Sequence, residues 1–351
     1  MKTIHHKYKL TKWKNVLIVL LFHYFTFSPF HLFTLSAENR LKRFWTKADS
    51  TLTARYFRTP YDTNYVVRPE GRLTLKLRVN QSGNTFHARG TVNGVYSKAN
   101  LHTRRKTTIS LAAAYRGISA SVSINPAKMK GLYKDYELNL SYYGRRLSLD
   151  ASYQRSSSLS GDIERGGNMS WMGQGDVTLK MYNLTAYYVF NHRRFSFPAA
   201  FTQSYIQRRS AGSWLAGLSY QGGSIKTEPW LKLRNANAPD VQIRVGHLGI
   251  GGGYGYNLVL GKKWLFHLSL LPTFVIYNRN KLTVNGDSRH SGRIRFNMIF
   301  NERAAIIYNF SPRFFAGTTL VMNNSLFNDK AVVVNQNKWV ARAFVGMRLW
   351  K

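Results

Sequence analysis

From about Gly71 to the end, the chain alternates apolar and polar positions in short segments. In 72–80, Leu73, Leu75, Leu77 and Val79 interleave with Thr74, Lys76 and Arg78. Ile109, Leu111, Ala113 and Tyr115 share one face of 107–116, and Ile118, Ala120, Val122 and Ile124 alternate with Ser119, Ser121, Ser123 and Asn125. Tyr136, Leu138, Leu140 and Tyr142 oppose Glu137, Asn139, Ser141 and Tyr143, while Leu147, Leu149, Ala151 and Tyr153 oppose Arg146, Ser148, Asp150 and Ser152. Further on, Ile294, Phe296, Met298 and Phe300 alternate with Arg293, Arg295 and Asn297, and Ala341, Ala343, Val345, Met347 and Leu349 with Arg342, Phe344, Gly346 and Arg348. Successive strand side chains point to opposite faces, so each segment predicts a strand with one apolar and one polar face.

Turn signals punctuate the pattern at Arg116-Gly117, Gly144-Arg145, Asn191-His192, Gly261-Lys262, Asn301-Glu302 and Ser311-Pro312. Each leaves room only for a tight antiparallel connection. Longer polar stretches at 81–106, 155–176, 222–240 and 278–291 read as loops. Short turns at one end and long loops at the other suit an all-β, antiparallel transmembrane β-barrel with short periplasmic turns and longer outer loops. At roughly 23 residues per strand and connection, the length after Gly71 allows about 12 strands, with a range of about 10–14. A soluble β-sandwich also has half-buried strands. Aromatic residues at strand ends (Tyr142, Tyr143, Tyr187, Tyr188, Trp264, Tyr277, Tyr308, Trp339 and Trp350) favour the barrel, because amphipathic rings settle at the headgroup level.

The first 37 residues differ in kind. Lys2, Lys7, Lys9, Lys12 and Lys14 precede an apolar run from Val16 to Leu35, which ends in Ser36-Ala37. That order of basic head, apolar middle and small-residue exit predicts a secretory signal peptide over 1–37, with an uncleaved anchor as the alternative. Residues 38–70 are polar without alternation and read as an N-terminal periplasmic extension that partly plugs the lumen, followed by the barrel at 71–351. Outer-membrane localisation follows from this reading.

Charge then narrows the partners. The chain has 51 Lys+Arg against 15 Asp+Glu, a formal net charge of +36, and no Cys. The missing Cys excludes disulfides, thiolate metal sites and a cysteine nucleophile. The basic residues are spread through alternating strands rather than gathered on one helix or arm, which argues against nucleic acid. Outer-membrane lipid, lipopolysaccharide and an anionic solute are the expected partners, with the oligomeric state open.

The stretch Phe195-Ser196-Phe197-Pro198-Ala199-Ala200-Phe201-Thr202-Gln203-Ser204-Tyr205-Ile206-Gln207-Arg208-Arg209-Ser210-Ala211-Gly212-Ser213 resembles the most recognisable part of domain-of-unknown-function family 4421, exported proteins of Bacteroidota. The likeness would run from about Asp62 to Trp350. It implies an outer-membrane barrel-like protein with no assigned catalytic residues. The C-terminus departs from the usual aromatic ending of a barrel strand, because Lys351 follows Trp350. By its residues alone, 195–213 reads as a strand, a turn near Arg208-Arg209 and a second strand. Its small residues Ala199, Ala200, Ala211, Gly212 and Ser213 suit tight internal packing.

Candidate chemistry is sparse. A hairpin at Gly144-Arg145 would set Asp150 opposite Asn139 and Glu137 opposite Ser152, placing both carboxylates in the lumen beside Arg146. They are either a proton-handling pair or counter-charges for lumen arginines. Arg146, Arg293, Arg295 and Arg342, with Arg72, Lys76, Arg78 and Arg348, would give the lumen a basic lining that favours anions. These residues, with Glu137 and Asp150, are the candidate lumen-binding set. Asp287, Ser288 and His290 suggest a membrane-embedded lipid hydrolase or acyltransferase as the alternative. Residues so close on one loop seldom hold triad geometry, and a solvated loop is the simpler reading. The glycines of 249–255 fit no cofactor fingerprint and suggest a bend or a place where a plug touches the wall. No catalytic residue, cofactor or metal site is assigned, and the expected function is a binding or structural protein, or a narrow anion-favouring pore.

Overall fold

The computed structural model describes Thr46, Ser50 and residues 61–349, apart from 70, 72, 93, 116–117, 133–134, 230, 232–239, 292–296 and 329–331. The predicted signal peptide therefore lies outside the described residues. The elements named below all belong to the compact unit that spans 60–351.

The unit is all-β. After the short β1 (Val66–Val67), the wall is built from β2 (Leu73–Val92), β4 (Lys106–Tyr115), β5 (Ile118–Ile124), β6 (Tyr136–Tyr143), β7 (Leu147–Ser156), β10 (Val177–Val189), β12 (Ala211–Thr227), β13 (Val241–Leu260), β14 (Trp264–Asn278), β17 (Met298–Asn309), β18 (Phe314–Asn328) and β19 (Val332–Leu349). These are twelve strands, the number the spacing predicts. Apart from β5 and β6, each pairs antiparallel with the next, and β19 returns to β2 over Val332–Leu349, so first and last strands meet. One joint differs. No residue of β5 has a register partner in β6 among the described residues.

Period two sorts the wall into faces. Along β14, Leu265, His267, Ser269, Leu271 and Thr273 are buried, while Leu268 and Leu270 between them are exposed. Leu268 is 68% exposed, whereas Ser219 and Asn301, on the opposite parity of their own strands, are 1% exposed. The outer face carries Leu77, Leu111, Leu140, Leu184, Leu218, Ile250, Leu268, Ile306 and Val345. Aromatic contacts gather on the short-turn end, where Trp214 meets Tyr254 at 5.2 Å and Trp264 meets Tyr308 at 4.5 Å. Tyr143 and Tyr187, expected with this belt, instead turn into the lumen.

Several connections depart from the sequence reading. Asn301-Glu302 is no turn but the middle of β17, and Asn191-His192 opens a plug segment rather than a tight hairpin. The stretches expected as outer loops are largely strand. β2 runs past the wall to pair with β3 (Val95–His102), which pairs in turn with β8 (Ser160–Arg165) and β9 (Asn168–Met172). Another hairpin joins β15 (Asn280–Val284) to β16 (Asp287–Ser291). The hairpin turns Gly166-Gly167 and Asn285-Gly286 have positive φ at both central residues, the conformation that matches strand twist in two-residue turns. These strands lack apolar alternation because no single apolar medium faces them.

The segment expected as a strand over Phe195–Gln207 folds inward instead. Ser196 accepts a hydrogen bond from the Ala199 amide and caps the short helix α2 (Phe197–Phe201), with Pro198 in its first turn. A second short helix, α1 (Pro126–Met129), follows β5. Strand β11 (Ile206–Gln207) pairs with β1. Phe195 and Phe197 pack against Tyr187, Leu215 and Leu271, while Ala199 and Ala200 pack against Leu265, Ile307, Phe315 and Phe344. Small residues at 199 and 200 permit this close fit. The following strand, read from Trp214, Ala216 and Leu218, is present as β12.

Candidate functional site

The interior is stratified. At the short-turn end the apolar plug fills it. Above the plug lies a polar zone, and near the long-loop end Phe86, Leu159, Val177, Leu179 and Met181 form a second apolar cluster.

The plug is stitched to the wall by hydrogen bonds. Asn257 donates to the Ser196 carbonyl and to Gln207 Oε1, both at 3.0 Å, and His267 Nδ1 donates to Asn257 Oδ1 at 2.7 Å. Lys76 Nζ donates to the Thr202 carbonyl at 2.8 Å and to Gln203 Oε1 at 2.9 Å. The glycine run faces this region. A Cβ on Gly255 would stand 3.1 Å from the Phe195 ring, so the plug does touch the wall there. Tyr61, which precedes the wall, is buried against the plug and receives a hydrogen bond from Ser196; burial raises its hydroxyl pKa above the ordinary value.

In the polar zone, side chains from opposite walls meet. Gln221 on β12 donates to Gln336 on β19 at 2.9 Å, Gln336 to Asn84 on β2 at 3.3 Å, and Asn84 to Gln154 on β7 at 3.4 Å. Thr185 on β10 donates to Asn301 on β17, and Asn301 to Ser219 on β12. Lys338 reaches Ser152 at 3.0 Å. Gln336 and Asn84 are diagonal neighbours on the paired strands β19 and β2, and the other bonds cross the lumen.

The two expected carboxylates are both inside, at a corrected register. Ser141 opposes Asp150, and Gln154 opposes Glu137, because Gly144, Arg145 and Arg146 all lie in the connection. A slip of two residues keeps both on the lumen face. They are not a pair. Asp150 takes Arg303 at 2.6 Å, with Tyr143 and Tyr187 hydroxyls donating at 2.9 and 3.2 Å. Glu137 takes Lys338 at 3.5 Å and Lys106 at 3.7 Å, and Ser82 donates to it at 2.9 Å. Asp135, buried beside Lys106, accepts from Ser156, Ser158 and the Ser157 amide.

The candidate arginines separate. Arg342 lines the lumen on β19, with Lys76, Arg78 and Arg348 on the same inner face. Arg146 does not: it sits exposed on the connection before β7 and donates to His192 at 3.3 Å. Burial, then Arg145 and Arg146, lower the His192 pKa. Arg293, Arg295 and Arg72 lie outside the described residues. Arg303, Lys106 and Lys338 were missed by the sequence reading. Arg303 was hidden by the false turn at Asn301-Glu302, although Ile299, Asn301, Arg303, Ala305 and Ile307 continue the inward parity. Ser288 shares a hydrogen bond with Thr283 on the β15–β16 hairpin, within an exposed setting. Among the described residues, no group of three or more His, Asp or Glu is placed to hold a metal.

An antiparallel wall that is apolar outside and hydrogen-bonded inside defines the transmembrane β-barrel class, in which lipid replaces the core as the apolar partner of the sheet. Within that class the chain belongs to the family described as Domain of unknown function (DUF4421), whose model matches residues 60–348. No curated protein sequence matches the chain. Among solved structures it is similar to the outer membrane protease OmpT from Escherichia coli, at 7% identity and a TM-score of 0.44, covering 80% of this chain and 97% of that one. It is also similar to the outer membrane protein OprG from Pseudomonas aeruginosa (11% identity, TM-score 0.29, 81% and 100% covered). The translocator domain of the autotransporter NalP from Neisseria meningitidis overlaps likewise (9% identity, TM-score 0.28, 90% and 98% covered). No activity is carried over from overlaps this loose.

Proposed function

We propose that this protein is an exported outer-membrane barrel whose lumen is locked, so that it serves as a binding or structural element rather than an open pore. The observation that carries this reading is the set of cross-lumen bonds, Gln221–Gln336, Asn84–Gln154 and Arg303–Asp150, which tie opposite walls where a channel would run, with Gln336 and Asn84 joined along the wall between them. A narrow anion-favouring pore, expected from the basic lining, would need those bonds and the plug to open together. The lipid-modifying alternative is weaker still, because Glu137 and Asp150 are engaged by cations and Ser288 lies on a hairpin away from both. The 1–37 leader and an outer-membrane lipid or lipopolysaccharide environment belong to the same proposal. Membrane fractionation with heat-modifiable gel migration tests it. Outer-membrane recovery and a faster-migrating unboiled form are expected, and recovery as a detergent-free soluble monomer would overturn it.

A further inference from the structure

The lumen holds more cations than its carboxylates engage. Glu137 is shared by Lys106 and Lys338, Asp150 is taken by Arg303, and Lys76 is satisfied by the plug. Arg348 donates to the Pro312 carbonyl at 3.1 Å and to Asn309 Oδ1 at 3.2 Å, which leaves two guanidiniums. Among the described residues, Arg78 and Arg342 have neither an ion-pair partner nor a hydrogen bond, and Arg78 Nε is buried without an acceptor. Arg78 stands opposite Phe344 and Arg342 opposite Asn80, which makes the two diagonal neighbours on the inner face of β2 and β19. They lie within electrostatic reach of each other and of Lys76. Adjacent, partly desolvated like charges are unfavourable unless an anion joins them. Guanidinium forks match the oxygens of a phosphate.

The same level of the wall is where, among the described residues, β5 and β6 have no register partners in each other. Arg78 is opposite Ser110, and Ser110 is opposite Ser123 on β5, whose far edge faces the unpaired joint. Ser121 and Ser123 on one lip, and Asn139 and Ser141 on the other, have inward parity yet are exposed. Elsewhere such residues are shut in, as Ser219 and Asn301 are. The outward residues of the lips, Val122 and Ile124 with Leu138 and Leu140, are apolar and exposed. The seam is therefore polar toward the lumen and apolar toward lipid.

We propose that Arg78 and Arg342 form a receptor for a phosphate-bearing anion that enters sideways through the β5–β6 seam, its head group on the two guanidiniums and any acyl portion against the lips. This rests on the membrane-barrel reading and names a ligand class for it. Entry is lateral, so the cross-lumen bonds stay intact.

The test uses the full chain refolded in neutral maltoside micelles, titrated separately with phosphatidylglycerol, phosphatidylcholine and inorganic phosphate, and read by calorimetry and native mass spectrometry. Saturable one-to-one binding of phosphatidylglycerol, weakened at least tenfold in R78Q/R342Q and partly restored in R78K/R342K, is expected. Binding of inorganic phosphate alone, with the same loss, would keep the two-arginine receptor and overturn its lipid source. S121W, which crowds the lip, should weaken the lipid but not the inorganic anion; unchanged lipid binding would overturn the lateral route. If the double Gln variant binds both probes as the parent does, or if phosphatidylcholine binds equally well, the receptor itself is overturned. Heat-modifiable migration of each variant confirms folding. A parent that folds in the membrane yet binds no probe defeats this inference alone, whereas a parent that is soluble defeats the barrel reading.

Discussion

Arg303 on β17 and Asp150 on β7 meet at 2.6 Å across the lumen, with four wall strands between them on the β10 side. Tyr143 and Tyr187 hydroxyls also donate to the carboxylate, and the guanidinium lies 4.6 Å from the Tyr187 ring. The pair ties the wall where a pore would pass. Removing one member leaves a buried charge without its partner. D150N and R303Q should each lower unfolding free energy by about 3–5 kcal/mol, measured by urea unfolding in micelles, whereas the well-packed apolar pair R303M/D150L should cost much less than either. Equal losses for single and double variants would show that the pair does not lock the lumen.

The plug makes a second prediction. Phe197 is fully buried; it stacks with Tyr143 and meets Tyr187 edge-on and His267 at a tilt. Truncation to Ala should cost about 3–5 kcal/mol by the same assay. Exposed Trp171, on the outer hairpin, should tolerate Ala within about 0.5 kcal/mol.

Neighbouring glycines on β13 give a matched pair. A Cβ on inward Gly253 would come far too close to the Leu270 carbonyl oxygen, while one on outward Gly252 would stand 3.4 Å from the Leu215 carbonyl oxygen, an ordinary contact. G253A should destabilise by about 1–3 kcal/mol, and G252A by under about 0.5 kcal/mol. Similar costs at both positions would contradict the assignment of faces.

A locked lumen also predicts electrical silence. The unaltered protein in planar bilayers should show no steady conductance. Gln221→Ala with Gln336→Ala, in a chain that also lacks plug residues 195–207, should show current biased toward anions because Arg342, Arg78 and Arg348 then line the passage. Steady anion-selective current from the parent would return the pore to first place.

Period two made the wall legible in the sequence because lipid imposes a strict rule on each outward residue. Leu138 and Leu140 face lipid and stay apolar, so β6 announces itself. The rule lapses at Glu302, an acid on the outward parity of β17 that bonds Asn324, and the pattern breaks there in a way that hides Arg303. The outer hairpins are obscure for a related reason: only turn chemistry, Gly166-Gly167 and Asn285-Gly286, marks them. The plug segment stood out as a run of small and aromatic residues but read as a strand, because its inward course depends on partners such as Asn257, Leu215 and Ile307 that lie far away in sequence. Asp150 and Glu137 were placed on the correct face, but their true partners, Arg303, Lys106 and Lys338, come from across the lumen, which local pattern cannot show.

Spin labels placed one at a time from Leu265 to Thr273 in the cysteine-free chain, reconstituted in lipid vesicles, test the central claim most directly. Oxygen accessibility should alternate along β14, high at Leu268 and Leu270 and low at His267, Ser269 and Leu271, with a polar nickel reagent excluded from the lipid-facing maxima. Maxima at 267, 269 and 271, or no alternation, would mean that the apolar face does not look at lipid.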